Sequence, residues 1–174
     1  MPDRSESPKN IVLIGMPGAG KSTAGVLLAK RCGLAFTDVD LVIQTGEGRR
    51  LDEIIRREGI EGFCDVEARY ATGLRADAGV VATGGSVVYR PAGMARLREL
   101  GPVVYLEVPT AELARRLGDL DRRGVIRTPG QGIEDLCRER DPLYRRWADL
   151  TVDCGTLPPE TVAARIAAAV GLEG

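Results

Sequence analysis

Histidine is absent from the 174 residues. Every mechanism in which an imidazole is the base is thereby excluded, the usual serine and cysteine triads among them. The four cysteines, Cys32, Cys64, Cys137 and Cys154, show no C-x-x-C spacing. That argues against a zinc site or a disulfide framework and for reduced thiols in a cytoplasm. No apolar run is long enough to cross a bilayer and no signal-peptide pattern opens the chain, so neither membrane nor export is expected. Charge of one sign is also missing: the formal net charge is −1, which offers nucleic acid no general positive field. A cytoplasmic protein acting on small molecules, as a monomer, is the expectation.

What is there is a rhythm of short apolar strands and helices. Asn10–Ile14 is a β-branched run. A helix follows over Lys21–Arg31 with Gly33 as its stop, and Leu34–Val39 is a second strand ending in Asp38-Val39-Asp40. Leu51, Ile54 and Ile55 recur at helical spacing, and a further helix is expected over 60–77, so that Gly62–Glu67 reads as a turn and the first turn of a helix. Val80–Thr83, Val103–Val108 and Leu150–Val152 are three more strands. Pro91 opens one helix, Ala111–Leu117 forms another, and Pro158-Pro159 introduces an alanine-rich last helix through Val170. Strands alternating with helices predict a three-layer α/β domain with a doubly wound, five-stranded parallel sheet. Residues 1–9 read as a loose tail before a single domain over 10–174. The stretch 119–132 breaks the period, and its Arg122, Arg123 and Arg127 suggest a lid over an anionic ligand.

One motif carries chemistry by itself. Gly15-Met-Pro-Gly-Ala-Gly-Lys-Ser-Thr23 fits G-x-x-x-x-G-K-[ST] between a strand and a helix. Backbone N–H groups of Gly18, Ala19 and Gly20, with those of Lys21, Ser22 and Thr23 at the helix start, can cradle phosphate oxygens. Lys21 would reach the β and γ phosphates and the Ser22 hydroxyl would coordinate Mg²⁺. The reading is a nucleoside triphosphate site. Without an Asn-Lys-x-Asp stretch for guanine, a small-molecule kinase is favoured over a GTP switch.

With that loop, Asp38-Val-Asp40, Phe63-Cys-Asp-Val-Glu67, Thr83-Gly-Gly85, Val104-Tyr-Leu-Glu107 and Arg140-Asp-Pro-Leu-Tyr144 stand in the order that resembles shikimate kinase, over about 10–170. The resemblance implies strand order 2-3-1-4-5, a P-loop kinase fold with a lid, ATP as donor and Mg²⁺ as cofactor. It implies that Asp38 holds a water on Mg²⁺ and that Asp40 bonds the acceptor hydroxyl and takes its proton. Arg123 corresponds to a lid arginine on the transferred phosphate, with Arg122 and Arg127 as competitors. Arg116 corresponds to an arginine against adenine, with Arg115 as rival, and Arg140 to the clamp on the acceptor's carboxylate. A helix-surface arginine paired with Glu139 or Asp141 is the plain alternative for Arg140.

Two positions depart from the family pattern. Ser86 replaces the third glycine after Gly84 and Gly85, and Cys64 replaces the arginine of Phe-Arg-x-x-Glu, although Glu67 is retained. A thiol supplies neither the charge nor the planar fork of a guanidinium; buried packing is its plain reading. The acceptor pocket is therefore assigned to Asp40, Cys64, Glu67, Gly84, Gly85, Ser86 and Arg140. Its acceptor is expected to be a small hydroxy-carboxylate of amino-acid biosynthesis. Homoserine fits if Asp40, Glu67 or Asp65 meets its amine, and shikimate is the family alternative. A nucleoside monophosphate kinase and a non-catalytic nucleotide-binding module are the readings from further afield.

Overall fold

The computed structural model describes residues 10–118 and 125–172. The sheet is parallel throughout, in the order β2-β3-β1-β4-β5, as the resemblance implied. Its strands are β1 (Ile11–Ile14), β2 (Ala35–Asp38), β3 (Gly79–Ala82), β4 (Val103–Glu107) and β5 (Leu150–Asp153). Every residue of β1 and β3 is buried, whereas β2 and β5 at the edges are half-exposed. Continuous apolar strands of this kind need helices over both faces.

The helices are α1 (Lys21–Cys32), α2 (Val39–Glu47), α3 (Leu51–Gly73), α4 (Pro91–Leu100), α5 (Thr110–Leu117), α6 (Ile133–Trp147) and α7 (Pro159–Ala169). Helix α1 packs on α7 and against β1, β2 and β3, while α3 packs on α4. Gly33 ends α1 in the left-handed conformation, its N–H bonded to the Ala29 carbonyl, and Pro91 occupies the first turn of α4. Asn10 ties three segments together just before β1. Its side-chain amide donates to the carbonyls of Ala76 and Leu100, and its carbonyl accepts from the Gly79 N–H at 3.0 Å.

Two expectations are corrected. Helix α2 begins immediately at Val39, so Asp40 lies in a helix first turn and not at a strand's end. The turn expected at Gly62 is at Gly59, whose φ of 73° and ψ of −178° kink α3 between two helical halves. Residues 62–67 are therefore the interior of its second half. Helix α6, a segment for which the sequence predicts no element, buries Ile133, Leu136, Arg140 and Tyr144 along one face. The proposed tail at 1–9 lies outside the described residues, as does 119–124, the part of the lid holding Arg122 and Arg123.

Candidate active site

Strand β1 is paired with β3 on one side and β4 on the other, so chain connections leave it in opposite directions. Ligands of doubly wound sheets bind beyond the carboxyl ends of the strands at such a point. A cavity of about 540 Å³ lies there. Its walls come from the loop after β1, the start of α2, α3, the loop after β3, the end of α5, residues 125–126, α6 and Pro159.

The nucleotide end follows from backbone geometry. Gly18 and Gly20 have φ of 79° and 88°, a region that L side chains avoid. These conformations turn the loop into the N-terminus of α1, whose first N–H groups have no intrahelical acceptor. Lys21 is 8% exposed and its Nζ donates to the carbonyls of Gly15 and Met16 at 2.7 and 2.9 Å. Burial lowers its pKa to about 8, against the pull of Asp40. A phosphate would restore the charge that burial opposes.

Asp38 does two jobs. Its Oδ1 accepts from the N–H groups of Asp40 and Leu41, capping α2, and its Oδ2 accepts from the Ser22 hydroxyl at 2.6 Å. One hydroxyl and one carboxylate on a common point suit Mg²⁺, which takes few protein ligands and leaves the remaining positions to phosphate and water. No cluster of three or more acidic or thiol ligands exists among the described residues; the donor set fits a nucleotide-borne metal and not a protein cage.

The arginines separate clearly. Arg116 lines the cavity, donating to Glu112, to the Gly18 carbonyl at 3.3 Å and to the Gly155 carbonyl at 3.2 Å. Arg115 is 73% exposed and its Nε and Nη2 donate to Glu112. Arg127, the one competitor of Arg123 within the described residues, donates to the Gln131 carbonyl and does not line this cavity. Arg140 is 1% exposed, which disposes of the surface-arginine reading. Its Nε donates to the Tyr89 hydroxyl at 3.0 Å and its Nη2 to the Ile126 carbonyl. The Tyr89 ring lies 5.1 Å from its guanidinium carbon, close enough for a cation–π contact. Nη1 lies 3.1 Å from where a Cβ on Gly85 would stand.

At the same end sit two carboxyls. Asp40 has its pKa raised by burial and by the neighbouring Asp38. Glu67 is 1% exposed, and burial raises its pKa to about 7 despite a 2.6 Å hydrogen bond from the Ser86 hydroxyl. Gly84 separates them. A Cβ there would collide with Glu67 Oε1 and stand 2.9 Å from Asp40 Oδ1.

Cys64 sits at the back of the cavity wall. Phe63 and Glu67, one helical turn apart, line the cavity; Cys64 is buried and does not. Burial and the nearby Glu67 push its thiol up to about 11, so it is no nucleophile at neutral pH. Asp65 is corrected: its side chain is 70% exposed and pairs with Arg90 at 2.7 Å. Sequence reasoning missed Tyr89, for which no local signal exists. It also gave Tyr144 no task, although its hydroxyl donates to the Gly85 carbonyl at 2.6 Å and holds the glycine turn against α6.

A phosphate-binding loop, a hydroxyl–carboxylate pair beside it and a buried guanidinium near two carboxyls in one cavity define a P-loop phosphotransferase. The shikimate kinase family model matches residues 17–171. A shikimate kinase of Aromatoleum aromaticum is 41% identical over 163 residues, covering 92% of this chain and 93% of that protein. One of Pseudomonas fluorescens is 42% identical, covering 88% and 91%. Among solved structures, shikimate kinase from Acinetobacter baumannii in complex with shikimate superposes with a TM-score of 0.85 at 32% identity, covering 95% of this chain and 93% of that one. This chain belongs to the shikimate kinase family. It is an ATP-dependent phosphotransferase that acts on a hydroxyl.

Proposed function

We propose that this protein transfers the γ-phosphoryl group of ATP to a hydroxyl of a small carboxylate metabolite in amino-acid biosynthesis, with homoserine and shikimate as the two candidate acceptors. The observation that carries the carboxylate is Arg140, a buried guanidinium that no carboxylate of the protein reaches among the hydrogen bonds of the described residues. Burying such a charge without an anion is costly, and a substrate carboxylate repays it.

In this reading the N–H groups of Gly18 to Thr23 bind the phosphates and Arg116 with Pro159 flanks the base. Lys21 leaves the carbonyls of Gly15 and Met16 to meet the β and γ phosphates. Ser22 and Asp38 would hold Mg²⁺, Asp38 through a water; the metal supplies charge neutralisation across the phosphates. Asp40 orients the acceptor hydroxyl and takes its proton, and its raised pKa makes it a better base than an exposed aspartate. Gly84 and Gly85 bring backbone close to the acceptor. Arg123, outside the described residues, is proposed as the cation on the moving phosphoryl group. The four unpaired thiols suit a reducing compartment, and the cytoplasm is the proposed setting.

Phosphate-release-independent coupled assays on the purified protein test this: turnover of L-homoserine or of shikimate is expected. Robust turnover of shikimate at micromolar concentrations, with homoserine inert, sinks the homoserine assignment. Shikimate is the second reading, favoured by the names of the relatives and by the shikimate-bound neighbour. Cys64→Arg separates the two. If the acceptor site departs only there, the variant gains shikimate phosphorylation over the parent protein.

A further inference from the structure

The nucleotide end of the cavity has a layer behind it. Arg116 lines the cavity from the last turn of α5, and its side chain is 25% exposed. Each nitrogen of its guanidinium is engaged by a different segment. Nε donates to Glu112 Oε1 at 2.7 Å, Nη1 to the Gly18 carbonyl at 3.3 Å and Nη2 to the Gly155 carbonyl at 3.2 Å. One plane is thereby tied to α5, to the phosphate loop and to the turn after β5. Leu117, the next residue, closes on the same loop: a Cβ on Gly18 would stand 2.9 Å from its side chain. Of the three contacts of Arg116, only the one to Glu112 joins opposite charges. Charge-assisted hydrogen bonds of this length are roughly twice as strong as neutral ones.

Glu112 itself does not line the cavity and is buried. Its carboxylate accepts three N–H groups. Arg115 gives two, from Nε to Oε2 at 2.8 Å and from Nη2 to Oε1 at 2.7 Å, and Arg116 gives the third. As an acid in the first turn of α5 it also sits where a helix favours negative charge. Hydrogen bonds from Arg115, and then from Arg116, hold its carboxyl down at about 2, so it stays ionised near neutral pH. The neighbouring arginines therefore have different tasks. Arg115, on the solvent side, fixes the carboxylate from outside; Arg116 stands between the carboxylate and the cavity.

We infer that Glu112 is a positioning residue of the nucleotide site: acting through Arg116, it sets the guanidinium plane against which the base rests. The inference rests on the reading of Arg116 as a residue flanking the base. Guanidinium N–H groups lie in the plane, so with all three nitrogens held, the face is what remains for an aromatic ring to stack on. An arginine ordered before the nucleotide arrives loses less rotamer freedom on binding. A plain brace of α5, by (i, i+3) and (i, i+4) pairing, would instead affect stability with no dependence on the base.

The test is calorimetric binding of MgADP and of magnesium pyrophosphate, which lacks the base, to the full-length protein. Glu112→Gln keeps the size of the side chain and removes its charge. It should weaken ADP binding by about tenfold and leave pyrophosphate binding unchanged. Its KM for ATP should rise more than its kcat falls. Arg116→Ala should weaken ADP in the same way, and the double variant should bind ADP no more weakly than Arg116→Ala alone, because residues that act through one another are not additive. Arg115→Ala should change ADP affinity less than Glu112→Gln does. Equal weakening of ADP and pyrophosphate, an additive double variant, or ADP binding by Glu112→Gln as tight as the parent's overturns the inference. Should Glu112→Gln not fold, Arg116→Lys takes its place: it keeps the charge but cannot hold three partners in one plane, and undiminished ADP binding by it has the same consequence. Failure of the base reading looks different. Arg116→Ala then binds ADP as the parent does and both readings fall, whereas loss in Arg116→Ala with none in Glu112→Gln removes Glu112 alone.

Discussion

Two neighbouring carboxyls, Asp40 and Glu67, are pushed the same way by burial and should nonetheless respond differently to mutation. Asp40→Asn keeps the size and much of the hydrogen bonding of the side chain but cannot take a proton. It is expected to lower kcat by roughly 10²–10⁴-fold while ATP affinity changes little; an unchanged rate removes Asp40 from the mechanism. Glu67 predicts a pH effect on stability. Its folded pKa of about 7 lies above the unfolded value of 4.5. The folded state therefore binds this proton more tightly, and the stability it confers is full below about pH 4.5 and lost as pH rises through 7. Glu67→Gln carries no such charge. Its melting temperature relative to the parent should rise between pH 5 and pH 8 without ligands, and a pH-independent difference contradicts the assignment.

Helix α3 and the glycine turns position the acceptor site as elements. Gly59, with φ 73° and ψ −178°, sits in a region open essentially only to glycine. It allows the second half of α3 to be aimed separately, so that Phe63 and Glu67 face the cavity. No atom crowds a Cβ at this position, so Gly59→Ala tests backbone strain alone. A loss of about 1–3 kcal/mol in denaturant unfolding is expected. The KM of the acceptor should rise while that of ATP stays, because the nucleotide end is built on α1. The coupling at the other side is Arg140: Tyr89, Ile126 and the Tyr144-held Gly85 all meet it or its turn. Tyr89→Phe removes the acceptor of the 3.0 Å bond and should weaken acceptor binding more than nucleotide binding, read as a KM split.

For the whole molecule, the decisive prediction is that chemistry and folding separate at Lys21. The side chain is buried against loop carbonyls, yet its charge is disfavoured there. Lys21→Ala is expected to abolish turnover and the melting-temperature increase given by MgATP, while circular dichroism and the ligand-free melting temperature stay near the parent values. A folded Lys21→Ala protein with retained turnover removes the phosphate loop from the reaction.

Much of this architecture was legible in one dimension. Apolar strands at regular intervals specify a parallel sheet because their residues cannot face water on either side, and the glycine–lysine–serine loop specifies a phosphate cradle because its chemistry is local and mostly backbone. Asp38, Asp40, Glu67, Gly84, Gly85 and Arg140 were singled out because their motifs resemble those of the shikimate kinase family, and all but Asp38 line one cavity. What the chain could not disclose depends on packing between segments far apart in sequence. Helix α6 went unread in the sequence, and the charge on its buried face, Arg140, makes sense only beside Tyr89 and Ile126. Burial of the Cys64 thiol beside the cavity-lining Phe63 and Glu67 is likewise visible only in three dimensions. Sequence alone determined the fold class and the phosphate chemistry, since both follow from periodicity and backbone. Only the tertiary structure decided which charged groups are buried and how they are paired, because burial and pairing are properties of three dimensions.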